Sequence, residues 1–242
     1  MVIKKQGGEQ KLKMICIHHA GGSIYSYANL KKNLSGIVEV IAIELHGHGK
    51  RINEAMTTNC YESIISLCHK LKESVEPYEQ YILFGHSMGA WLAYGVIQEL
   101  ENEKCYYPCK LILSGNTPPF SELRVFDPDK YSDEEFINRV SEFGGIPEEI
   151  LKSKSYMEYY IEVLRSDYKL VYELPRYLQK KNINCKFDVI CGNNDLIVND
   201  SVIEWGQIAC QEYNLFRYKG DHFSILDKVM NRELKEYFKS IF

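Results

Sequence analysis

The chain lacks an excess of either charge. Its 29 Lys and Arg against 33 Asp and Glu leave a formal net charge of -4 over 242 residues, and no basic stripe gathers anywhere along it. Nucleic acid and an anionic membrane surface are therefore not the expected partners. No apolar run approaches the roughly 18 residues of a membrane helix. No N-terminal stretch joins a charged, an apolar and a small-residue region as a signal peptide does. A cytoplasmic location is expected. Internal repeats and low-complexity tracts are missing too, so the whole length, 1–242, is expected to form one domain, large enough to bury a core without staples.

A metal framework is also missing. There are eight cysteines, but Cys16, Cys68, Cys185 and Cys191 lie inside apolar periodic segments, where free cysteine behaves as a small hydrophobe. Cys105 and Cys109, in CYYPC, are near neighbours with no second ligand pair to complete a zinc site. His46 and His48 stand two apart, with no carboxylate or further histidine at ligand spacing in their own segment. No metal and no cofactor are expected.

What is present gathers around residues 81–100, YILFGHSMGAWLAYGVIQEL. Tyr81 to Phe84 form the continuous apolar run of a buried parallel strand. After GHSMG, Trp91, Leu92, Ala93, Val96 and Leu100 recur at helical spacing. GxSxG between a strand and a helix is the pattern of a strained elbow that exposes its serine, here Ser87, and the two glycines remove side chains that would collide with the neighbouring backbone.

The rest of the chain alternates strands and helices. Residues 12–18 read as a strand running into His19, Ala20, Gly21, Gly22 and Ser23, a loop whose glycines permit amides to turn toward a ligand. Residues 24–34 read as a helix and 38–45 as a second strand, followed by HGHGKR. A helix capped by Thr58 or Asn59 carries Ile64, Cys68 and Leu71 on one face, with His69 beside that stripe as a surface residue. KLILS at 110–114 is another strand. From about 117 to 165 the sequence turns polar and tyrosine-rich with no strand candidate. Ser132 with Glu135 forms a capping box, Pro147 with Glu148 and Glu149 marks a helix start, and Tyr156, Tyr159, Tyr160, Val163 and Leu164 form a stripe. This insertion is expected to cover the site as a lid, with those tyrosines as candidates for its channel; the alternative is an insertion packed away from the site. FDVIC at 187–191, a short strand at 215–218 and a closing helix complete the chain.

A serine hydroxyl needs a neighbouring base, and a neutral imidazole oriented by a carboxylate is that base near neutral pH. The order Ser87, Asp195, His222, each just past an expected strand, is the order of the α/β hydrolases. Of the seven histidines, His222 alone lies downstream of the elbow helix. Asp188, Asp200 and Asp221 compete with Asp195 as the orienter. The oxyanion formed on attack would be received by the amide of Met88, at the positive end of the elbow helix, and by one amide of the loop 19–22.

HHAGGS at 18–23, LHGHGKR at 45–51, GHSMGA at 85–90, FGGIPEEIL at 143–151, VLRSDY at 163–168, GNND at 192–195 and GDHFSIL at 220–226 together resemble, nearly end to end, the type II thioesterases that accompany nonribosomal peptide and polyketide synthetases. The resemblance implies an α/β-hydrolase fold, a mostly parallel sheet with helices on both faces and a helical lid. It implies hydrolysis of acyl groups from the phosphopantetheine arm of carrier proteins, freeing misprimed or stalled modules. The triad of that family falls on Ser87, Asp195 and His222, and its oxyanion amides on Met88 and Ala20. It is departed from at His46 and His48, where the family's loop reads more like LPGRG. A monomer that binds carrier-protein domains is expected. A small-molecule esterase or lipase on the same fold, and a catalytically silent carrier-binding module, are the alternatives.

Overall fold

A computed structural model describes residues 11–122, 125–144, 146 and 154–242; the helix start expected at Pro147, Glu148 and Glu149 lies outside them. Among the described residues six strands form one sheet, and every neighbouring pair in it is parallel. They are β1 (Lys13–Ile17), β2 (Glu39–Ile43), β3 (Tyr81–His86), β4 (Lys110–Ser114), β5 (Lys186–Gly192) and β6 (Tyr213–Tyr218). The spatial order is β2-β1-β3-β4-β5-β6. Among the described residues the helices are α1 (Ala28–Asn33), α2 (Cys60–Ser74), α3 (Met88–Leu100), α4 (Asp133–Ser141), α5 (Lys154–Tyr177) and α6 (Arg232–Ile241).

Alternating residues of the strands feed two cores. Ile15, Ile17, Leu83, Leu111, Leu113, Phe187 and Val189 pack with α2, α3 and part of α5 on one face. Met14, Cys16, Ile82, Phe84, Ile112 and Ile190 pack with α1 and α6 on the other. Burial on both faces is why the strands read as unbroken apolar runs. The segment expected as one helix over 24–34 divides into a 3-10 turn, Ile24–Tyr27, and α1, with Ser23 capping the turn. Asn59, not Thr58, caps α2 by accepting the Glu62 amide at 3.1 Å. The capping box of Ser132 and Glu135 opens α4.

The chain reverses its direction of strand addition between β1 and β3, and a parallel sheet binds ligands outside the carboxyl ends of its strands at such a switch point. Ile17 pairs with Gly85. The loop after β1 and the turn after β3 therefore leave the sheet side by side. Among the described residues no helix is long and apolar enough to cross a membrane.

Candidate functional site

Ser87 joins β3 to α3 with φ 56° and ψ -120°, a positive φ that a non-glycine residue adopts only where its surroundings enforce it. The enforcement is visible. A Cβ on Gly85 would lie 2.0 Å from the Gly89 carbonyl oxygen, and one on Gly89 would lie 2.2 Å from that of Ile17. Both glycines are thus required by close approach of backbone to backbone. The Ser87 amide donates to the Ser114 carbonyl at 2.8 Å, and the Asn116 side chain donates to the Ser87 carbonyl at 3.0 Å.

Asp195 and His222 meet. Asp195 Oδ2 accepts from His222 Nδ1 at 2.8 Å, and its Oδ1 accepts the amides of Ile197 at 2.9 Å and Val198 at 3.3 Å. Their loops are tied together by the Asn193 amide on the Tyr218 carbonyl and the Asn194 amide on the Gly220 carbonyl. With Nδ1 committed to the carboxylate, His222 Nε2 is buried and carries no hydrogen bond. It shares a cavity with Ser87. The competing aspartates stand elsewhere: Asp188 pairs with Lys110 and Tyr237, Asp221 bonds within its own turn, and Asp200 is exposed at the start of a 3-10 segment.

His86, next to the serine in sequence, points away from the role of base. Its Nδ1 lies 3.0 Å from Ser114 Oγ and its ring packs 4.7 Å from that of His222. Complete burial, with the nearby His222 and His19, pushes its pKa well down, so it stays neutral. His19 is likewise held neutral by burial, its pKa lowered to about 4.

Ala20, Ser87 and Met88 border one apolar cavity, walled further by Trp91, Phe126 and Val171. Met88 is the first residue of α3, so its amide has no acceptor within the helix. The loop 19–22 turns through Gly21 at φ 72°. Of the tyrosines of α5, Tyr160 is buried and borders the Ser87 cavity. Tyr156 is 63% exposed, and Tyr159 spends its hydroxyl on the Gly47 carbonyl at 2.9 Å; neither borders that cavity. Tyr156 shares the face of Tyr160 but lies in the first turn of α5, and Tyr159 is turned to the neighbouring face.

One cluster escapes sequence reasoning. His18, His48 and Asp167 offer ligand atoms within 4.8 Å of one another, because α5 carries Asp167 to the ends of β1 and β2. Their polar atoms are already committed. His18 Nδ1 donates to the His19 carbonyl at 2.8 Å and its Nε2 accepts the Leu45 amide at 3.3 Å. His48 Nδ1 donates to the His46 carbonyl at 2.8 Å, and Nε2 lies 3.0 Å from Asp167 Oδ2. That oxygen also accepts the Gly21 amide at 2.7 Å. A cation here would displace the Leu45 amide from its lone pair, so the donor set fits hydrogen bonding rather than metal coordination.

Both nitrogens of His48 face oxygens, and a carbonyl has no proton to give. The protonated imidazole is the form that donates at both contacts. Burial opposes charge on His48, but the carboxylate of Asp167, its hydrogen bond and the His46 carbonyl together outweigh it and raise the His48 pKa.

Residues 12–239 match the thioesterase domain family. The chain is similar to gramicidin S biosynthesis protein GrsT of Aneurinibacillus migulanus, 26% identical over 218 residues, covering 90% of this chain and 84% of that protein. It is also similar to the human S-acyl fatty acid synthase thioesterase, medium chain, 23% identical over 95% of this chain and 86% of that one. Among solved structures, ClbQ from the colibactin NRPS/PKS pathway superposes with a TM-score of 0.82 at 19% identity, covering 96% of this chain and 95% of that one. The type II thioesterase YbtT from the yersiniabactin pathway gives 0.81 at 20% identity, over 98% and 93%. At such identities the structural likeness speaks for the fold.

Proposed function

On the premise that this chain belongs to the thioesterase domain family, we propose that it hydrolyses acyl groups from the phosphopantetheine arm of carrier proteins, clearing misprimed or stalled synthetase modules. The observation that carries the reading is the buried Asp195–His222 hydrogen bond, with His222 Nε2 free in a cavity that Ser87 borders.

In this mechanism Ser87 Oγ attacks the thioester carbonyl carbon as His222 Nε2 takes its proton. Asp195 keeps the proton of His222 on Nδ1, so that Nε2 is the basic nitrogen, and stabilises the imidazolium. The amides of Met88 and Ala20 receive the oxyanion. The C–S bond breaks, the thiolate leaves with the proton from His222, and the acyl group stays on Ser87. A water then gives its proton to His222 and attacks the acyl-serine, releasing the free acid and restoring the hydroxyl. The apolar walls at Trp91, Phe126 and Val171 suit an acyl chain rather than a charged substrate. The similarity to gramicidin S biosynthesis protein GrsT supports a synthetase partner.

Offering acyl-carrier protein, acyl-coenzyme A and a simple ester to the same preparation tests the reading. The carrier-bound thioester should be turned over with the highest kcat/KM, and a strong preference for the simple ester would replace this reading with a small-molecule esterase. Fluorophosphonate labelling that vanishes in Ser87→Ala separates an enzyme from a silent binding module.

A further inference from the structure

Helix α5 does more than roof the cavity. A Cβ on Gly21 would lie 2.6 Å from Leu164 Cδ2 and 2.7 Å from the Tyr160 hydroxyl, so the loop after β1 is pressed against the face of α5 that carries Tyr160, Leu164 and Asp167. Asp167 is fully buried. Its Oδ2 holds both the Gly21 amide and His48, while its Oδ1 is buried without a hydrogen bond. A buried carboxylate with one bare oxygen is a costly arrangement, and an apolar residue would pack that face of α5 without it. What the carboxylate adds is a directional hold on the backbone at Gly21, one residue from Ala20.

We propose that Asp167 is a positioning residue for thioester hydrolysis: with His48 as its charged partner it fixes the Gly21 amide, and through the shared turn the Ala20 amide, so that seating α5 and forming the oxyanion site are one event. This rests on the reading of Ser87 as nucleophile and Ala20 as oxyanion donor. In the contacts of α5 with Gly21, Tyr160 and Leu164 supply shape, and Asp167 supplies direction. The acceptor requires no proton of its own, since His48 donates from Nε2.

The titratable groups facing this pair are His18 from the end of β1, whose ring lies 4.7 Å from that of His48, Glu44 from the end of β2, His19 from the loop, and Tyr160 and Tyr168 from α5. Glu44 is held by the amides of Lys50 at 2.7 Å and Ile24 at 3.1 Å. His18 is kept neutral by its burial, with the neighbouring His48 acting in the same direction.

The test is steady-state kinetics of full-length Asp167→Ala, Asp167→Asn and Ser87→Ala with one short acyl thioester, alongside thermal unfolding. Misplacing a reacting group or oxyanion donor costs on the order of 100-fold, so Asp167→Ala is expected to lower kcat about 10- to 100-fold with KM changed less than about threefold. Asp167→Asn keeps the shape. While His48 is protonated its Nε2 donates to the new amide oxygen and its Nδ1 to the His46 carbonyl; a neutral ring must give up one of the two, so the ratio of wild-type to Asn kcat should grow as pH rises. That ratio also decides the matter if the Ala variant does not fold. Unchanged kcat in Asp167→Asn at every pH, a loss confined to the unfolding midpoint, or a rise in KM alone would overturn the proposal. Ser87→Ala separates the two readings: if it stays active the nucleophile reading fails, whereas an inactive Ser87→Ala beside a fully active Asp167→Asn removes only the role of Asp167.

Discussion

Asp195 grips His222 with one carboxylate oxygen, 2.8 Å from Nδ1, while its other oxygen is held by the amides of Ile197 and Val198. The carboxylate cannot rotate without giving up amide bonds. In Asp195→Asn the oxygen keeps those amides and the NH2 turns toward His222. Nδ1 must then accept, the ring proton moves to Nε2, and the base is lost. We expect kcat to fall by about 10^4-fold, the scale of a wrong tautomer in a serine triad, with the unfolding midpoint nearly unchanged. Steady-state kinetics beside calorimetry checks both halves.

Ser87 pays for its exposure with a strained backbone at φ 56°. Ser87→Gly removes the Cβ that makes this region unfavourable, a relief of about 1–3 kcal/mol against roughly 0.5–1 kcal/mol of extra chain entropy. The variant is therefore expected to be inactive and about 1 kcal/mol more stable, a rise of roughly 2–4 °C in the midpoint for a chain of this size. Gly85→Ala should do the opposite. Its Cβ meets the Gly89 carbonyl at 2.0 Å, an overlap of backbone on backbone that costs at least about 1–3 kcal/mol. Denaturant unfolding of the pair checks both signs.

The apolar cavity beside Ser87 has Val171 and Phe126 in its wall. Each methylene buried there contributes about 0.8 kcal/mol, or roughly fourfold in kcat/KM. A series of acyl thioesters should show that rise until the cavity is full, and Val171→Phe should cut it off at a shorter chain while sparing the acetyl substrate. Competition assays across chain length give the readout.

His18 and His19 have pKa values lowered by burial, to about 3 and about 4 against an ordinary 6.5. Below 6.5 the unfolded chain takes protons at these rings that the folded chain refuses, so folding stability is expected to fall as pH drops from about 6.5 toward 4. Each such ring contributes up to about 1.4 kcal/mol per pH unit. His48 has the opposite sign. Its raised pKa means that its stabilisation is complete below the unfolded value and lost as pH rises through the folded one. Urea midpoints against pH should therefore fall on the acid side, and His48→Arg, charged throughout, should flatten the alkaline side.

The strands were legible because burial on both faces writes unbroken apolar runs, and Lys110–Ser114 matches residue for residue. The turn at Ser87 was legible because GHSMG must satisfy close backbone contacts that only glycine allows. Asp195 and His222 could be placed by their position after strands, since a parallel sheet brings strand ends together. The Asp167 contact could not. It joins Gly21 and His48 to a residue 146 and 119 positions away, and nothing local in VLRSDY marks which side of the helix meets the loop. The stripe from Tyr156 to Leu164 is narrower in the structure for the same reason, buried at Tyr160, Val163 and Leu164 and exposed at Tyr156 and Tyr159. Helical spacing identifies neighbours, but the angle at which α5 seats, with Tyr159 on Gly47, is a tertiary result.

The most direct measurement is intact-mass spectrometry of an acyl-loaded carrier protein mixed with this protein. The carrier should lose its acyl mass while keeping its phosphopantetheine, with a transient acyl adduct on the peptide that holds Ser87, and Ser87→Ala should leave the carrier loaded. A carrier stripped at the wild-type rate by Ser87→Ala, or one that stays loaded with the wild-type protein, would contradict the assignment.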